Sequence, residues 1–382
     1  MKIVHLCLGQ FFIDNYSYQE NMLPKYHVKM GYKVTIIASL FSFNKDGKGC
    51  FLDGPSEYDD MNGYHVVRLA YKSPIKINRT LRHYEGTAEA LERENPDIIF
   101  SHNVSFADIS ILEDYLKKHP KVKVYADNHA DFVNSAKNLI SKHILHPVVW
   151  RYYAKKLEPY LIKCYGVTPL RCRFLSEMYH ISRDIIEFLP MGVDDDAIPF
   201  NCDEVRSAIR MELGIPMTDK VILTGGKIDI LKNTHVLIEA LKKINDAHLH
   251  LIICGTFTPE MEYLRKSIEA MPNIHYLGWC NAGRVMNCMV AADVACFPGT
   301  HSTLWEQSIG VGLPAIFKRW KEMEHVNVNG NCIFVKGDDV NELSNALCKM
   351  QIEASYNEYL DKASVAAKSF LYSEIAKKAI GQ

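Results

Sequence analysis

The chain has 382 residues, 48% of them hydrophobic and 23% charged, which suits a globular protein of two domains rather than one core. Its net charge of −1 provides no field for nucleic acid. Eleven cysteines are scattered with no C-x-x-C pair and no metal-ligand spacing, so no metal and no disulfide framework are expected. No apolar run approaches the roughly 20 residues that span a bilayer, and reduced thiols in a cytoplasmic setting are the expectation.

Lys2 to Leu8 is a buried run of strand length that ends at Gly9-Gln10. Apolar residues at helical spacing lead to Gly31, and Val34 to Ala38 forms a second buried strand. The polar stretch 47–62 reads as a loop, with Asn62-Gly63 as a turn before a strand over Tyr64 to Leu69. Arg79, Arg82 and His83 read as the solvated basic face of a helix. The strand Pro96 to Phe100 leaves His102 just past its carboxyl end, where ligands gather in open parallel sheets. The strand Val122 to Ala126 delivers Asp127, Asn128, His129 and Asp131 in the same way. Those groups suit sugar hydroxyls, and Asp127 or Asn128 equally suits the cap of a following helix. Between Lys142 and Lys163 basic residues interleave with Trp150, Tyr152, Tyr153 and Tyr160. Two readings stand there: a helix seated on anionic headgroups, or a core helix with a charged outer face.

A linker over Asp194 to Cys202 separates the halves. The second half opens on VILTGGKIDILKNTHVLIEALKKI, residues 221–244. Val221 to Leu223 is a short strand, broken by Thr224-Gly225-Gly226. Lys227 and Lys232 follow five apart, ahead of a helix whose apolar face carries Val236, Leu237, Ala240, Leu241 and Ile244. A strand, a glycine turn, two cations and a helix start can make a phosphate site, since the helix start offers N–H groups and a positive dipole end. The plainer alternative is a βα unit with two solvated lysines.

The pattern G-K-x4-K-N resembles the donor-phosphate motif G-[RK]-x4-K-G of the retaining family 4 glycosyltransferases, with Asn233 where that family often has Gly. Around it, K-x-G-Y-K-V-T-I-I-A (residues 29–38) and the placement of His102 are similar to first-domain signatures of the family, and Phe188-Leu189-Pro190-Met191-Gly192-Val193-Asp194 to its hinge segment. So are Ile274 to Gly278, Ala291 to Gly299, the Glu306 to Pro314 segment and Asn329 to Asp338. The resemblance implies an α/β GT-B architecture: two Rossmann-like domains facing a cleft, residues 1–194 on the acceptor side and 195–358 binding the nucleotide-sugar. Residues 359–382 then form a C-terminal helix packing back on the first domain. It implies metal-independent hexosyl transfer with retention, from a UDP- or GDP-linked sugar as co-substrate and with no resident cofactor. The acceptor implied is a glycan or lipid-linked glycan of surface polysaccharide assembly, with residues 142–163 on an anionic membrane surface and the protein peripheral on its inner face. Carried over residue by residue, Lys227 and Lys232 hold the diphosphate, and His102 lies beside the reacting sugar. Gly226, Gly255, Leu277, Gly278, His301, Ser302 and Thr303 line the donor site, and Gln10, Asp127 and His129 face the acceptor. The chain departs from the family's E-x7-E: its second glutamate falls on Gln307, with Glu306 one residue early. Glu306 is taken as the ribose ligand because a carboxylate accepts hydroxyl hydrogen bonds at several sites, and Gln307 is the alternative. A nucleotide-sugar epimerase of the same fold and a non-catalytic nucleotide-sugar-binding scaffold are the competing readings.

Overall fold

The computed structural model describes residues 1–44, 48–135 and 138–382. The chain divides into two compact units, Met1–Pro190 with Ile375–Gln382, and Met191–Glu374.

The first unit is built on an eight-stranded sheet. Its central strands, Lys2–Cys7, Lys33–Ser39, Ile98–Ser101 and Lys123–Asn128, are short runs rich in β-branched and apolar residues and are buried almost end to end. That is the pattern of a parallel sheet covered on both faces. Strand Lys2–Cys7 pairs in parallel with Lys33–Ser39 on one side and with Ile98–Ser101 on the other. The chain order therefore reverses at this strand, which makes the carboxyl ends of Lys2–Cys7 and Ile98–Ser101 the switch point of the sheet. The edge strand Ser56–Asp59 alone runs antiparallel to its neighbour, His65–Leu69. The stretch 47–62 is thus more ordered than a loop. Gly49–Phe51 pairs with Phe41–Phe43, and Tyr58, inside the edge strand, hydrogen-bonds Asp14. Gly47 lies outside the described residues.

The second unit has a six-stranded, wholly parallel sheet. From one edge the strands are Ile274–Gly278, Leu249–Phe257, Lys220–Ile228, Val294–Phe297, Ala315–Lys318 and Cys332–Val335. Numbered by their order in the chain they run 3-2-1-4-5-6, the doubly wound arrangement, with its switch point between Lys220–Ile228 and Val294–Phe297. One face is covered by helix Thr234–Ile244, which buries Val236, Leu237, Ala240 and Leu241 as its period requires, and the other by Trp305 stacked on Phe317. Thr224-Gly225-Gly226 does not end the strand as expected: pairing with Leu249–Phe257 continues to Ile228. A Cβ at Gly255 would sit 1.9 Å from the Gly226 carbonyl oxygen, so glycine lets the two strands close where any other residue would part them.

The ends of the second unit differ from expectation at both boundaries. It begins at Met191 rather than after Asp194, because the Val193 N–H donates to the Phe370 carbonyl at 2.8 Å and the Tyr372 N–H to the Val193 carbonyl at 3.1 Å. Residues 359–374 also belong to this unit: Tyr359 packs on its core, and Ala366 and Phe370 lie inside it. Only Ile375–Gln382 returns to the first unit, where the Lys378 carbonyl accepts from the Tyr165 hydroxyl at 2.7 Å.

Candidate functional site

In the second unit the lysine turn stands at the carboxyl end of the strand on one side of the switch point. Lys227 is exposed at the strand end, and a 3-10 turn over Ile230–Lys232 carries the chain to helix Thr234–Ile244. Asn233 joins turn to helix with φ of 55°, a left-handed conformation that glycine and asparagine tolerate best. That conformation explains why either residue can stand there. From the other side of the switch point comes the loop after Val294–Phe297. A Cβ on Gly299 would lie 2.3 Å from the Lys232 backbone, so the loop rests directly on the lysine turn. Lys232 Nζ donates to the carbonyls of Thr300 at 2.7 Å and His301 at 3.3 Å, and burial pulls its pKa down. Gly226, Lys227, Lys232, Ser302 and Thr303 are thereby gathered at one end of one sheet. Gly255 pairs with Gly226 in register, and Leu277 and Gly278 end the half-buried edge strand two places along.

The helix Leu304–Gly310 turns Glu306 and Gln307 to different surroundings. Glu306 is wholly buried and its Oε1 accepts from His301 and His325, whereas Gln307 is half-exposed. Burial alone raises the Glu306 carboxyl, but His301 and His325 beside it outweigh this and hold it well below the usual carboxylate range. His301 is spent on the same pairing and does not face outward.

In the first unit His102 sits at the switch point but is 0% exposed, and both ring nitrogens are engaged. Its Nδ1 lies 3.1 Å from Asp127 Oδ2 and its Nε2 3.0 Å from His5 Nδ1. His5 Nε2 lies 2.9 Å from His27 Nδ1, and His27 Nε2 lies 2.9 Å from the Ala376 carbonyl. The protons can be counted. A carbonyl only accepts, so His27 Nε2 carries a hydrogen, and each link back along the chain needs one more. Three neutral imidazoles supply one fewer than the four links require, so the extra proton lies between His102 and Asp127. Burial holds His5 and His27 neutral, His27 at about 4. Burial pushes the Asp127 carboxyl up, yet His129 and His102 beside it more than reverse this and hold it well below the usual carboxylate range. His102 thus stands at the expected strand end, buried, with its ring nitrogens held by Asp127 and His5.

His129 is the member that reaches the surface, with 16% of its side chain exposed. Its Nε2 lies 3.4 Å from Asp127 Oδ2 and 3.6 Å from Glu20 Oε1. Burial lowers its pKa, but Asp127 and Glu20 prevail and raise it. Gln19 and Glu20 open helix Gln19–Lys29 facing inward, and both Gln19 amide atoms and Glu20 Oε1 are buried with no hydrogen-bond partner among the described residues. Gln10 is half-exposed in the loop after the first strand, which Arg82 fixes through its Nη1, donating to the carbonyls of Gly9 and Ser105. Arg82 and His83 are therefore half-buried and engaged rather than a free solvated face: His83 pairs with Asp108, while Arg79 keeps an outer position over the Phe51 ring. No period or motif in the sequence marks Glu20, His5, His27 or His325; a polar first turn on an otherwise buried helix is the one available sign for Glu20.

Along the expected segment 142–163 and the residues just before it the side chains divide. Trp150 is buried and Tyr153 and Tyr160 pack on the core, so these are not interfacial as one reading required. Leu139, Ile140, Ile144, Val148 and Tyr152 are instead exposed, and Lys142 and His143 beside them are exposed too. Among the described residues no helix is long and apolar enough to cross a membrane.

Residues 205–364 match the family described as glycosyl transferases group 1. A D-inositol 3-phosphate glycosyltransferase from Corynebacterium jeikeium is 24% identical over 195 residues, 47% of this chain and 46% of that protein. A GDP-mannose-dependent monoacylated alpha-(1-6)-phosphatidylinositol monomannoside mannosyltransferase from Corynebacterium glutamicum is 25% identical over 181 residues, 44% of this chain and 48% of that protein. The chain spans about half the length of the curated relatives it matches. Among solved structures, Anabaena Alr3699/HepE in complex with UDP is similar over 99% of this chain and 98% of its own, with TM-score 0.67 and 13% identity. Sucrose-phosphate synthase from Thermosynechococcus elongatus is similar over 99% of this chain and 97% of its own, with TM-score 0.66 and 14% identity. The fold is thus that of the GT-B glycosyltransferases, with two Rossmann-like domains.

Proposed function

Starting from a second unit whose residues 205–364 belong to the glycosyl transferases group 1 family, we propose that the chain is a hexosyltransferase that takes its sugar from a nucleoside-diphosphate donor. The observation that carries this reading is Lys232, held half-buried at the switch point of the family-matched sheet with Gly226, Lys227 and the loop after Gly299 around it. Cations there suit a diphosphate, and stabilising that leaving group is the electrostatic lever for a reaction with an oxocarbenium-like transition state. The bond from the sugar's anomeric carbon to the diphosphate oxygen breaks. A bond from that carbon to an acceptor hydroxyl oxygen forms, and the hydroxyl proton passes to the departing diphosphate oxygen. In this reading the nucleotide is a co-substrate, UDP- or GDP-linked, and Lys227 and Lys232 do the work that a metal does elsewhere. Gln307, being accessible, takes the ribose hydroxyls in place of Glu306.

The first unit supplies hydroxyl-binding groups: His129, steadied by Asp127, together with Glu20 and Gln10. Unpartnered buried atoms on Gln19 and Glu20 support a polyol acceptor, since such groups are normally satisfied. Relatives named for inositol phosphate and for a phosphatidylinositol mannoside favour an acceptor carrying a polyol or lipid-linked glycan. They are transferases, which favours transfer over epimerisation. The exposed apolar stripe Ile140, Ile144, Val148 and Tyr152, with Lys142 alongside, supports seating on an anionic membrane surface where such acceptors reside.

The test is incubation with a panel of UDP- and GDP-sugars, with and without glycolipid acceptors. Transfer requires acceptor and releases nucleoside diphosphate. Sugar interconversion without acceptor would mean an epimerase, and tight nucleotide binding with no turnover a scaffold.

A further inference from the structure

Below the loop 299–303 three side chains converge on one atom. His301 Nε2 lies 2.7 Å and His325 Nε2 2.9 Å from Glu306 Oε1. The three come from separate local elements: the loop, the first turn of helix Leu304–Gly310, and the 3-10 turn Glu324–Val326. Their side chains are 9%, 0% and 2% exposed for His301, Glu306 and His325. Their candidate ligand atoms all lie within 4.8 Å of one another. The second carboxylate oxygen, Glu306 Oε2, is buried with no hydrogen-bond partner among the described residues. A hydrogen-bonded His–Glu–His trio accounts for Oε1 but leaves Oε2 bare, which is costly for an ionised group in the interior. A dication accounts for both oxygens.

We propose that His301, Glu306 and His325 form a site for a first-row transition-metal dication, Zn2+ foremost, which fixes the loop 299–303 without taking part in sugar transfer. Two imidazoles and one carboxylate are the donors zinc prefers, whereas Mg2+ and Ca2+ select oxygen ligands. Metal–ligand bonds of about 2.1 Å in a tetrahedral shell set two donors about 3.4 Å apart. The candidate ligand atoms lie within 4.8 Å of one another, so the widest pair closes by at most about 1.4 Å, which rotation of the imidazoles supplies. On binding, each ring presents its Nε2 lone pair and keeps its proton on Nδ1. Glu306 gives one or both oxygens, and water completes the shell. Lys232 already holds the Thr300 and His301 carbonyls from the other side, so the metal pins the loop at its second end. The inference goes beyond the transfer reading and does not depend on it.

The full chain, stripped with chelator and then dialysed against Zn2+, should retain the metal stoichiometrically and melt higher than the stripped form. With Co2+ it should show the visible absorption of a low-symmetry nitrogen–oxygen site. His325→Ala and Glu306→Gln should each weaken Zn2+ binding by more than the roughly 10–100-fold that loss of an outer partner costs. Wild-type protein that holds no Zn2+ overturns the proposal, as do variants that hold as much as wild type. Should the variants fail to fold, the wild-type Co2+ spectrum decides, because a thiolate charge-transfer band would assign the metal to cysteine. Nucleoside-diphosphate titration of the same samples separates the two readings: metal retained without nucleotide binding sinks the transfer reading alone.

Discussion

His102 Nδ1 and Asp127 Oδ2 lie 3.1 Å apart with both side chains wholly buried. Breaking a buried pair by removing one partner costs roughly 3–5 kcal/mol, because the other charge is stranded. His102→Ala should therefore lower the melting temperature markedly. His129→Ala, at the accessible end of the same network, should leave nucleoside-diphosphate affinity intact and weaken acceptor use by about fivefold to tenfold, the worth of a hydrogen bond of roughly 1–1.5 kcal/mol to an acceptor hydroxyl. Thermal melts and transfer rates on both variants check this. An undisturbed melt with lost turnover in His102→Ala would return the chemistry to His102.

The buried imidazoles give a pH dependence with a definite sign. His27 is held neutral with a pKa of about 4, against an ordinary value of 6.5, and His5 is shifted the same way. The unfolded chain binds these protons more readily, so their contribution is complete above about pH 6.5 and fades as pH falls toward about 4. His129, raised instead, contributes in the opposite sense, its share being lost as pH rises through its own pKa. Denaturant titrations should show the midpoint falling on acidification below about pH 6.5. His27→Gln should flatten that fall. A midpoint that is level or rising over that range contradicts the buried neutral chain.

Glu306 and Gln307 should now separate by kind of effect. Gln307→Ala removes an accessible amide and should weaken nucleoside-diphosphate binding by about fivefold to tenfold, the worth of a hydrogen bond of roughly 1–1.5 kcal/mol. Glu306→Gln should act mainly on stability and on the order of the loop 299–303. Calorimetric titration showing the larger affinity loss in Glu306→Gln would restore Glu306 as the ribose ligand.

The apolar stripe makes a prediction about membranes. Co-sedimentation with vesicles containing anionic lipid should occur at low salt and fade as salt is added, with the double change Ile144→Asp and Val148→Asp abolishing it. Equal binding by the double variant would leave the stripe without a role in membrane contact.

Much of the fold could be read in the sequence because buried parallel strands are short apolar runs, and because the lysine turn, Pro190-Met191-Gly192-Val193-Asp194 and Gly312-Leu313-Pro314 keep fixed spacings. What escaped depends on side-chain direction. Glu306 and Gln307 are adjacent, so a helix turns one inward and one outward, and no spacing distinguishes a ribose ligand from a residue clamped by His301 and His325. His102 was correctly placed at a strand end, but its burial follows from His5 and His27, which are distant in sequence and look like ordinary core positions. Trp150 and Tyr153 carry an interfacial composition yet face the core, while Ile144 and Val148, ordinary core residue types, face out.

The phosphate clamp at Lys227 and Lys232 is the central claim, and titration of UDP and GDP into wild type, Lys227→Ala and Lys232→Ala tests it most directly. A charge-assisted hydrogen bond is worth roughly 1.5–3 kcal/mol, so loss of Lys232, the half-buried cation, should weaken the preferred nucleotide by about tenfold or more. Lys227, exposed at the strand end, should cost less, and its effect should shrink with added salt. Nucleotide affinity unchanged in both variants would contradict the account.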